Sequence, residues 1–188
     1  MRMIFLLILV LSLIISQLMP DILAEENTVI ATISVGDAPR GIAFDSANNR
    51  MYVTNWDDDT VSVINTATNG VIETISVGDA PYGMAFDFAN NRLYIANAFD
   101  NTVSVINTAT NAVDATISAG TNPVGIAFDS ANDRMYVSIS SDDVVKVINT
   151  ATNVVDATIS VGNSPREMAF DSANNRMYVS NLGDDTVS

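Results

Sequence analysis

The residues best suited to recognition lie in loops that differ between the copies of an internal repeat. Some of these residues follow a proline that recurs in every copy of the repeat, and others lie in aspartate-rich turns. Aromatic and arginine side chains are common anchors of binding surfaces. The candidate binding residues are Arg40, Trp56, Tyr82, Phe99, Arg166 and Leu182. Repeat proteins often present a binding surface as a varied face on a constant scaffold. The sequence leaves one alternative open, in which these loop tips vary only because nothing constrains them.

Catalytic chemistry has little support in the sequence. The chain has no histidine and no cysteine, which removes haem ligation, copper sites, cysteine nucleophiles and the commonest general base. Serines such as Ser140 and Ser141 therefore have no histidine to activate them. We predict no catalytic residue and no cofactor, and the alternative is a hydrolase that relies on carboxylates alone.

Aspartate clusters raise the question of calcium. They occupy corresponding turns of the repeat at Asp57 to Asp59, Asp142–Asp143 and Asp184–Asp185. A calcium loop spaces its carboxylates at alternating positions and adds a bidentate glutamate, and adjacent aspartates do not provide that arrangement. We predict solvated turns and no metal site.

The chain repeats itself every 42 residues, since Met51, Leu93, Met135 and Met177 open the equivalent segments MYV, LYI, MYV and MYV. Each unit contains short runs rich in valine, isoleucine, threonine and aromatic residues, separated by turn residues. In the first complete unit these runs are GIAFD (41–45), RMYVTN (50–55), TVSVINT (60–66) and GVIETISV (70–77). A period of this length with β-prone runs indicates an all-β propeller of four-stranded blades.

Because consecutive strands of a blade run in opposite directions, the loops divide between two opposite faces of the propeller. The turns between strands one and two, such as DSANNR (45–50), share one face with the NTATN turns between strands three and four. Asp45, Asp87, Asp129 and Asp171 each precede an arginine by five residues on this constant face, which predicts a local ion pair. The turns between strands two and three share the opposite, variable face with the proline-containing crossings between blades.

The segments PRGIAFD, MYVTN and TVSVINTATN together resemble the YVTN-repeat β-propeller family, over about 160 residues and four copies of the repeat. The resemblance implies an extracellular or surface-layer propeller, related to lactonase-like enzymes and to cytochrome and amine-dehydrogenase-like folds. The third copy departs from the motif, because YVSIS places Ile139 where asparagine is expected.

The N-terminal segment has the layout of a secretory signal. Arg2 precedes an apolar run from Ile4 to Ile15, followed by Pro20 and the small residue Ala24. We predict a signal peptide over residues 1–24 and a secreted or cell-surface location, although Ile22 leaves the cleavage site open. An uncleaved anchor is the alternative, but the apolar run is shorter than the ~20 residues of a spanning helix.

The propeller is predicted over residues 25–188, with blades at roughly 37–77, 79–119, 121–161 and 163–188. The run TVIATISVG (28–36) matches a fourth strand, whereas the last blade stops at the start of its third. Two interpretations remain: the run at 28–36 completes the last blade and closes the ring, or the chain is a fragment of a larger propeller. Open strand edges would favour self-association.

The formal charge of −14, with Lys146 as the single lysine, argues against nucleic acid and anionic membranes as partners. We therefore predict a non-enzymatic exported module that binds a protein or a glycan at the cell surface. The alternatives are a lactonase-like or other carboxylate- or metal-dependent enzyme and a truncated, non-functional gene fragment.

Overall fold

The computed structural model describes residues 28–188, and within them the chain forms four antiparallel sheets. The strands are β1 Pro39–Asp45, β2 Arg50–Asn55, β3 Thr60–Asn65, β4 Gly70–Ser76, β5 Pro81–Asp87, β6 Arg92–Asn97, β7 Thr102–Asn107, β8 Ala112–Ser118, β9 Pro123–Asp129, β10 Arg134–Ile139, β11 Val144–Asn149, β12 Val154–Ser160, β13 Pro165–Asp171, β14 Arg176–Asn181 and β15 Thr186–Val187. Blades 1, 2 and 3 are β1–β4, β5–β8 and β9–β12, and blade 4 is the three-stranded sheet β13–β15. The prediction of an all-β propeller is confirmed.

Each blade is a meander whose strands pair in sequence order, and the innermost strand begins at a proline. A proline at the first residue of a strand removes no essential ladder hydrogen bond. After the proline the pairing register shifts, as between Pro39 and Ile42 in blade 1, before regular pairing resumes. The described residues contain no helix long and apolar enough to cross a membrane.

Asparagine and aspartate shape the hairpins. Asn49, Asp59 and Asn69 adopt positive φ values of 51°, 57° and 53° in the three turns of blade 1. These residue types tolerate the left-handed region better than other side chains. The same turn chemistry therefore recurs in every copy.

Among residues 28–188 the buried hydrophobic residues form two clusters, and each lies between consecutive blades. One joins Tyr52 and Val61 of blade 1 to Leu93 and Ile95 of blade 2. The other joins blades 2 and 3 and includes Tyr94 and Val137. A blade covered on both sides explains why its strands are apolar on both faces.

Tyrosine and arginine side chains on the constant face join blade 1 to blade 2 and blade 2 to blade 3. The Tyr52 hydroxyl donates to Asn111 Oδ1 at 2.9 Å, and the Tyr94 hydroxyl donates to Asn153 Oδ1 at 2.9 Å. Arg50 donates to the carbonyl oxygen of Thr108 at 2.9 Å. The motif tyrosine and the NTATN asparagine are thus partners across a blade boundary.

The predicted local ion pairs are wrong. Asp45 instead accepts hydrogen bonds from the Ala47 amide and the Asn48 side chain, which closes its own turn. Within the described residues the one ion pair joins Arg134 to Asp156. Arg50 and Arg92 instead donate to carbonyl oxygens of the next blade, whereas Asp45 already accepts hydrogen bonds within its own turn.

Glycine allows close approach of the inner strands. A Cβ at Gly41, Gly83 or Gly125 would overlap the backbone carbonyl oxygen of Tyr82, Val124 or Arg166, respectively, in the following blade. A hydroxyl strengthens two of these boundaries: Thr54 donates to Tyr82 O at 2.9 Å, and Ser138 donates to Arg166 O at 2.6 Å.

Residues 28–36 form no strand, contrary to the predicted fourth strand there, and blade 4 has three strands. A strand needs a hydrogen-bonded neighbour, and sequence preference alone does not supply one. The predicted signal peptide, residues 1–24, lies outside the described residues.

Candidate functional site

The aspartate-rich turns of the variable face bind backbone amides. Asp58 Oδ2 accepts from the Asp37 amide at 2.7 Å, in the crossing that enters blade 1. Asp59 Oδ1 accepts from the Ala80 amide at 2.8 Å, in the crossing that leaves it. The turns are exposed, as predicted, and their adjacent aspartates also fix two different crossings.

Four candidate residues come together above the boundary between blades 1 and 2. The Trp56 ring lies 5.7 Å from the Tyr82 ring and 5.2 Å from the Phe99 ring, both edge to face. The Arg40 guanidinium lies 5.5 Å from the Trp56 centroid and 6.0 Å from the Tyr82 centroid. We call Arg40, Trp56, Tyr82 and Phe99 the aromatic–arginine cluster.

The fold positions the cluster through the ends of its strands. Arg40 and Tyr82 each follow the first proline of an inner strand, and Trp56 directly follows β2. The Trp56 amide donates to the Ala38 carbonyl oxygen at 3.1 Å, and the Phe99 amide donates to the Asp79 carbonyl oxygen at 3.2 Å. Phe99 remains 70% exposed, so the cluster presents a large apolar ring to solvent.

The other two candidates lie in blade 4. The Arg166 backbone lies next to blade 3, because its carbonyl oxygen accepts a hydrogen bond from the Ser138 hydroxyl. The Nε atom of Arg166 is buried without a hydrogen-bond partner. Leu182 is 63% exposed and its amide donates to the Ser164 carbonyl oxygen. Neither residue takes part in the aromatic and cation–π contacts of the aromatic–arginine cluster.

Carboxylates surround the cluster. Asp57, Asp58, Asp79 and Asp100 are exposed on the same face. Repulsion from Asp100, and then from Asp59, raises the pKa of Asp79 above its usual 3.8. Like charges that raise one another's pKa also favour a cation nearby. The cluster is thus an apolar, π-rich surface with a negative rim.

The inner strands of all the blades border a central cavity of about 480 Å³. Its lining includes Arg40, Tyr82, Met84, Ile126 and Glu167. Glu167 was not among the sequence candidates, and the signal for it was available. It replaces the glycine found at the equivalent positions 41, 83 and 125.

Among residues 28–188 no group of three or more histidine, cysteine, aspartate or glutamate side chains is arranged to hold a metal ion. Within the same residues Glu167 is the one carboxylate in the lining of the central cavity. The candidate site thus presents aromatic rings, a guanidinium and exposed carboxylates.

Antiparallel blades, three of four strands and one of three, with one varied loop face define the chain as a β-propeller with a candidate recognition surface. A family model, described as YNCE-like beta-propeller, matches residues 19–131, which is more than half of the chain. The chain belongs to this YNCE-like β-propeller family. No curated protein sequence matches the chain.

Solved structures support the fold at low sequence identity. The chain is similar to hydrazine synthase of Kuenenia stuttgartiensis, with a TM-score of 0.73, 18% identity, and coverage of 88% of this chain and 47% of that chain. It is also similar to the WD40 β-propeller domain of Doa1, with a TM-score of 0.65, 16% identity, and coverage of 76% of this chain and 47% of that chain. The chain thus spans about half the length of both structures.

Proposed function

We propose that the protein is an exported, non-enzymatic binding or cell-surface assembly module of the YVTN-repeat type. Its partner is a protein or a glycan, which it meets through the variable face. The observation that carries the proposal is the aromatic–arginine cluster, in which three rings and one guanidinium from two blades form a single surface.

The rim of the cluster favours a partner with cationic groups. Exposed Asp57, Asp58, Asp79 and Asp100 give this face a negative potential, which attracts positive charge. Arg40 lies over the Trp56 ring, and this contact between a cation and an aromatic ring supports a cationic partner for the exposed rings of the cluster. A basic protein segment satisfies both features, because its charges meet the rim and its apolar parts meet Phe99.

Trp56 provides a direct assay because it is the chain's one tryptophan. We expect a lysine-rich peptide to change Trp56 fluorescence saturably and with weaker affinity at high salt. An acidic peptide of equal length and a neutral oligosaccharide serve as comparison probes. Saturable binding of the oligosaccharide instead would identify the glycan as the partner and contradict the cationic one.

Two variants separate binding from folding. Phe99→Ala removes an exposed ring whose aromatic contact is Trp56 alone, so binding weakens while stability falls by about 1 kcal/mol or less. Val154→Ala removes an exposed apolar side chain at the start of β12, next to a turn of the constant face, and is the matched control. Equal binding by both variants and the unaltered protein would refute the proposed surface.

Export is tested independently of binding. The expected product is found outside the cytoplasm and begins near residue 25, as read by mass spectrometry of the intact protein. A cytoplasmic protein that retains residues 1–24 would contradict this part of the proposal.

The alternative function is a carboxylate- or metal-dependent enzyme of the lactonase-like kind, and the observation that favours it is Glu167 in the central cavity. Lactone hydrolysis that is lost in Glu167→Gln would support it. A melting curve unchanged by chelator, together with no hydrolysis, favours the binding module. A non-functional gene fragment is the remaining alternative, and soluble folded expression with saturable binding would contradict it.

A further inference from the structure

The turns of the constant face differ between the copies of the repeat at two positions. The turn between the first and second strands reads DSANNR in blades 1 and 4, DFANNR in blade 2 and DSANDR in blade 3, and the NTATN turn does not vary. Phe88 therefore stands where the other copies have serine, and Asp133 stands where the other copies have asparagine. The two departures belong to different blades, yet both residues line the same groove.

This groove lies at the boundary between blades 2 and 3 and has a volume of about 550 Å³. Besides Phe88 and Asp133, its lining residues are Ala85, Phe86, Ala89, Phe128 and Ser130. We call these seven residues the phenylalanine groove. Its volume lies within the ~300–1,000 Å³ of small-molecule sites, and a mostly apolar lining with a few polar groups is typical of such sites.

The turn that contains Phe88 does not need a phenylalanine. The Asn90 side chain closes this turn by donating to Asp87 Oδ2 at 2.8 Å, and the turns of blades 3 and 4, which have serine instead, close with the same bond at 2.8 Å. The Phe88 ring stacks on the Phe86 ring with a centroid distance of 4.9 Å, but Phe88 remains 59% exposed. The ring thus offers a large apolar surface that a ligand can cover.

Asp133 adds a negative charge to its turn without changing the backbone. Its φ is 53°, and the equivalent Asn49 and Asn91 have φ values of 51° and 52°. Its carbonyl oxygen accepts from the Thr150 amide at 3.2 Å, as the Asn49 carbonyl oxygen accepts from the Thr66 amide at 3.1 Å. The carboxylate is therefore the one feature that sets this turn apart, and it faces the groove's apolar lining.

The charge of Asp133 is not neutralised by the described residues, among which the one ion pair joins Arg134 to Asp156. The arginine of the blade 2 turn, Arg92, donates to the carbonyl oxygen of Thr150 at 2.8 Å. A free carboxylate beside aromatic rings is complementary to a ligand that carries one positive charge on an apolar body.

We propose that the phenylalanine groove binds a small organic amine, in which an ammonium group is joined to an aromatic or alkyl body. The ammonium group pairs with Asp133, and the apolar body packs against Phe88 and Phe128. The net charge of −14 adds a long-range attraction for such a cation. The site lies on the constant face, opposite the aromatic–arginine cluster, and is a second binding site beyond the proposed function.

Nuclear magnetic resonance of the full chain tests the site with 2-phenylethylammonium as the probe. We expect saturable shifts of the Ala89 and Ser130 amide signals, with weaker affinity at high salt. The neutral 2-phenylethanol and the anionic 3-phenylpropionate are matched in their aromatic body and should bind several-fold more weakly. The indole signal of Trp56 reports on the aromatic–arginine cluster separately. Shifts at Trp56 alone would overturn this proposal and leave the proposed function intact.

The repeat supplies variants that keep the fold, because each introduces the residue that other copies have at the same position. Phe88→Ser should weaken binding of the amine about tenfold. Asp133→Asn should weaken it about two- to fivefold and remove the preference for the amine over the alcohol. Asn49→Asp adds the same charge to the equivalent turn of blade 1 and, as the matched control, should leave the affinity unchanged.

Three results would each overturn the proposal: no saturable binding of the amine, equal affinity for the amine and the alcohol, or unchanged affinity in both Phe88→Ser and Asp133→Asn. Sedimentation of the same samples tests a different occupant. A dimer that is lost in Phe88→Ser, without binding of the amine, would assign the groove to a second copy of the chain and contradict the small-molecule site.

Discussion

Removing one hydroxyl should reveal how much the clasp between blades contributes to stability. Tyr94 is fully buried and donates to Asn153 Oδ1 at 2.9 Å, and Asn153 is only half-buried. Tyr94→Phe therefore loses one hydrogen bond while water solvates part of the abandoned oxygen. We expect a loss of about 1 kcal/mol in the free energy of unfolding, which lowers the melting temperature by ~2–4 °C for a chain of this size.

The repeat supplies the matched control. Tyr136 occupies the equivalent position in blade 3, and its hydroxyl donates to no described residue, so Tyr136→Phe should change stability by less than ~0.5 kcal/mol. Urea unfolding followed by circular dichroism, at one fixed protein concentration, measures both variants. Equal costs for Tyr94→Phe and Tyr136→Phe would refute the assignment of the stabilisation to the contact between blades. Asn153→Ala closes a double-mutant cycle, in which the coupling with Tyr94→Phe should be about 1 kcal/mol.

Three further predictions test the remaining structural contacts. Burial raises the pKa of Tyr52 and Tyr94 above the usual 10.0, and the neighbouring Arg50 and Arg92 oppose this effect. The folded state therefore keeps these two protons to a higher pH than the unfolded state does. The free energy of unfolding should be constant below about pH 10 and fall as the pH rises further. A pH series of urea melts checks this, and Tyr94→Phe should flatten the alkaline decline. Gly83→Ala should cost ~1–3 kcal/mol because its Cβ overlaps the Val124 carbonyl oxygen, whereas Gly70→Ala, whose nearest contact is Thr68 Oγ1 at 3.5 Å, should be neutral in the same melts. Asn97→Ile should cost ~1–3 kcal/mol because it leaves the buried Ser104 hydroxyl without its donor. Adding Thr102→Val and Ser104→Lys, which are the residues that blade 3 has at the equivalent positions, should recover part of that loss. No recovery would mean that the three positions act independently.

The same three positions account for the presence of Ile139 where the other copies of the repeat have asparagine. In blades 1 and 2 the motif asparagine donates to a threonine and a serine of the neighbouring strand, as Asn97 does to Thr102 and Ser104. In blade 3 all three residues differ together, to Ile139, Val144 and Lys146. Ile139 is buried in the apolar cluster, and Lys146 donates to Thr158. Blade 3 thus replaces a polar triplet with an apolar contact and a new hydrogen bond.

The sequence was sufficient to predict the blades because the evidence for them is local. Strand preference, turn residues and a fixed period recur in every copy, so each element is specified by its own residues. The allocation of loops to two faces also follows from strand alternation, and the contacts of Asp58 with Asp37 and of Arg50 with Thr108 agree with it. Arg40, Trp56, Tyr82 and Phe99 could be placed on one face by this argument.

What the sequence could not predict depends on distances across a blade boundary. The partner of Arg50 is the carbonyl oxygen of Thr108, 58 residues away, whereas the sequence showed only an aspartate nearby. The contact between Trp56 and Phe99 likewise depends on how far one blade rotates from the next. Residues 28–36 have the strand preference of the repeat but form no strand. Strand preference is a local property, whereas a strand also requires a hydrogen-bonded partner.

The constancy of the repeat and the variation of one face have a common physical cause. On the constant face, Tyr52 and Asn111 must meet across a boundary, so a change in either residue removes the partner of the other. On the variable face, Asp58 and Asp59 hold the crossings through backbone amides, which every residue except proline supplies. The side chains between these fixed points, Trp56 and Arg40 among them, are therefore free to differ without loss of the fold. A propeller built in this way can change what it recognises while it keeps the contacts that hold its blades together.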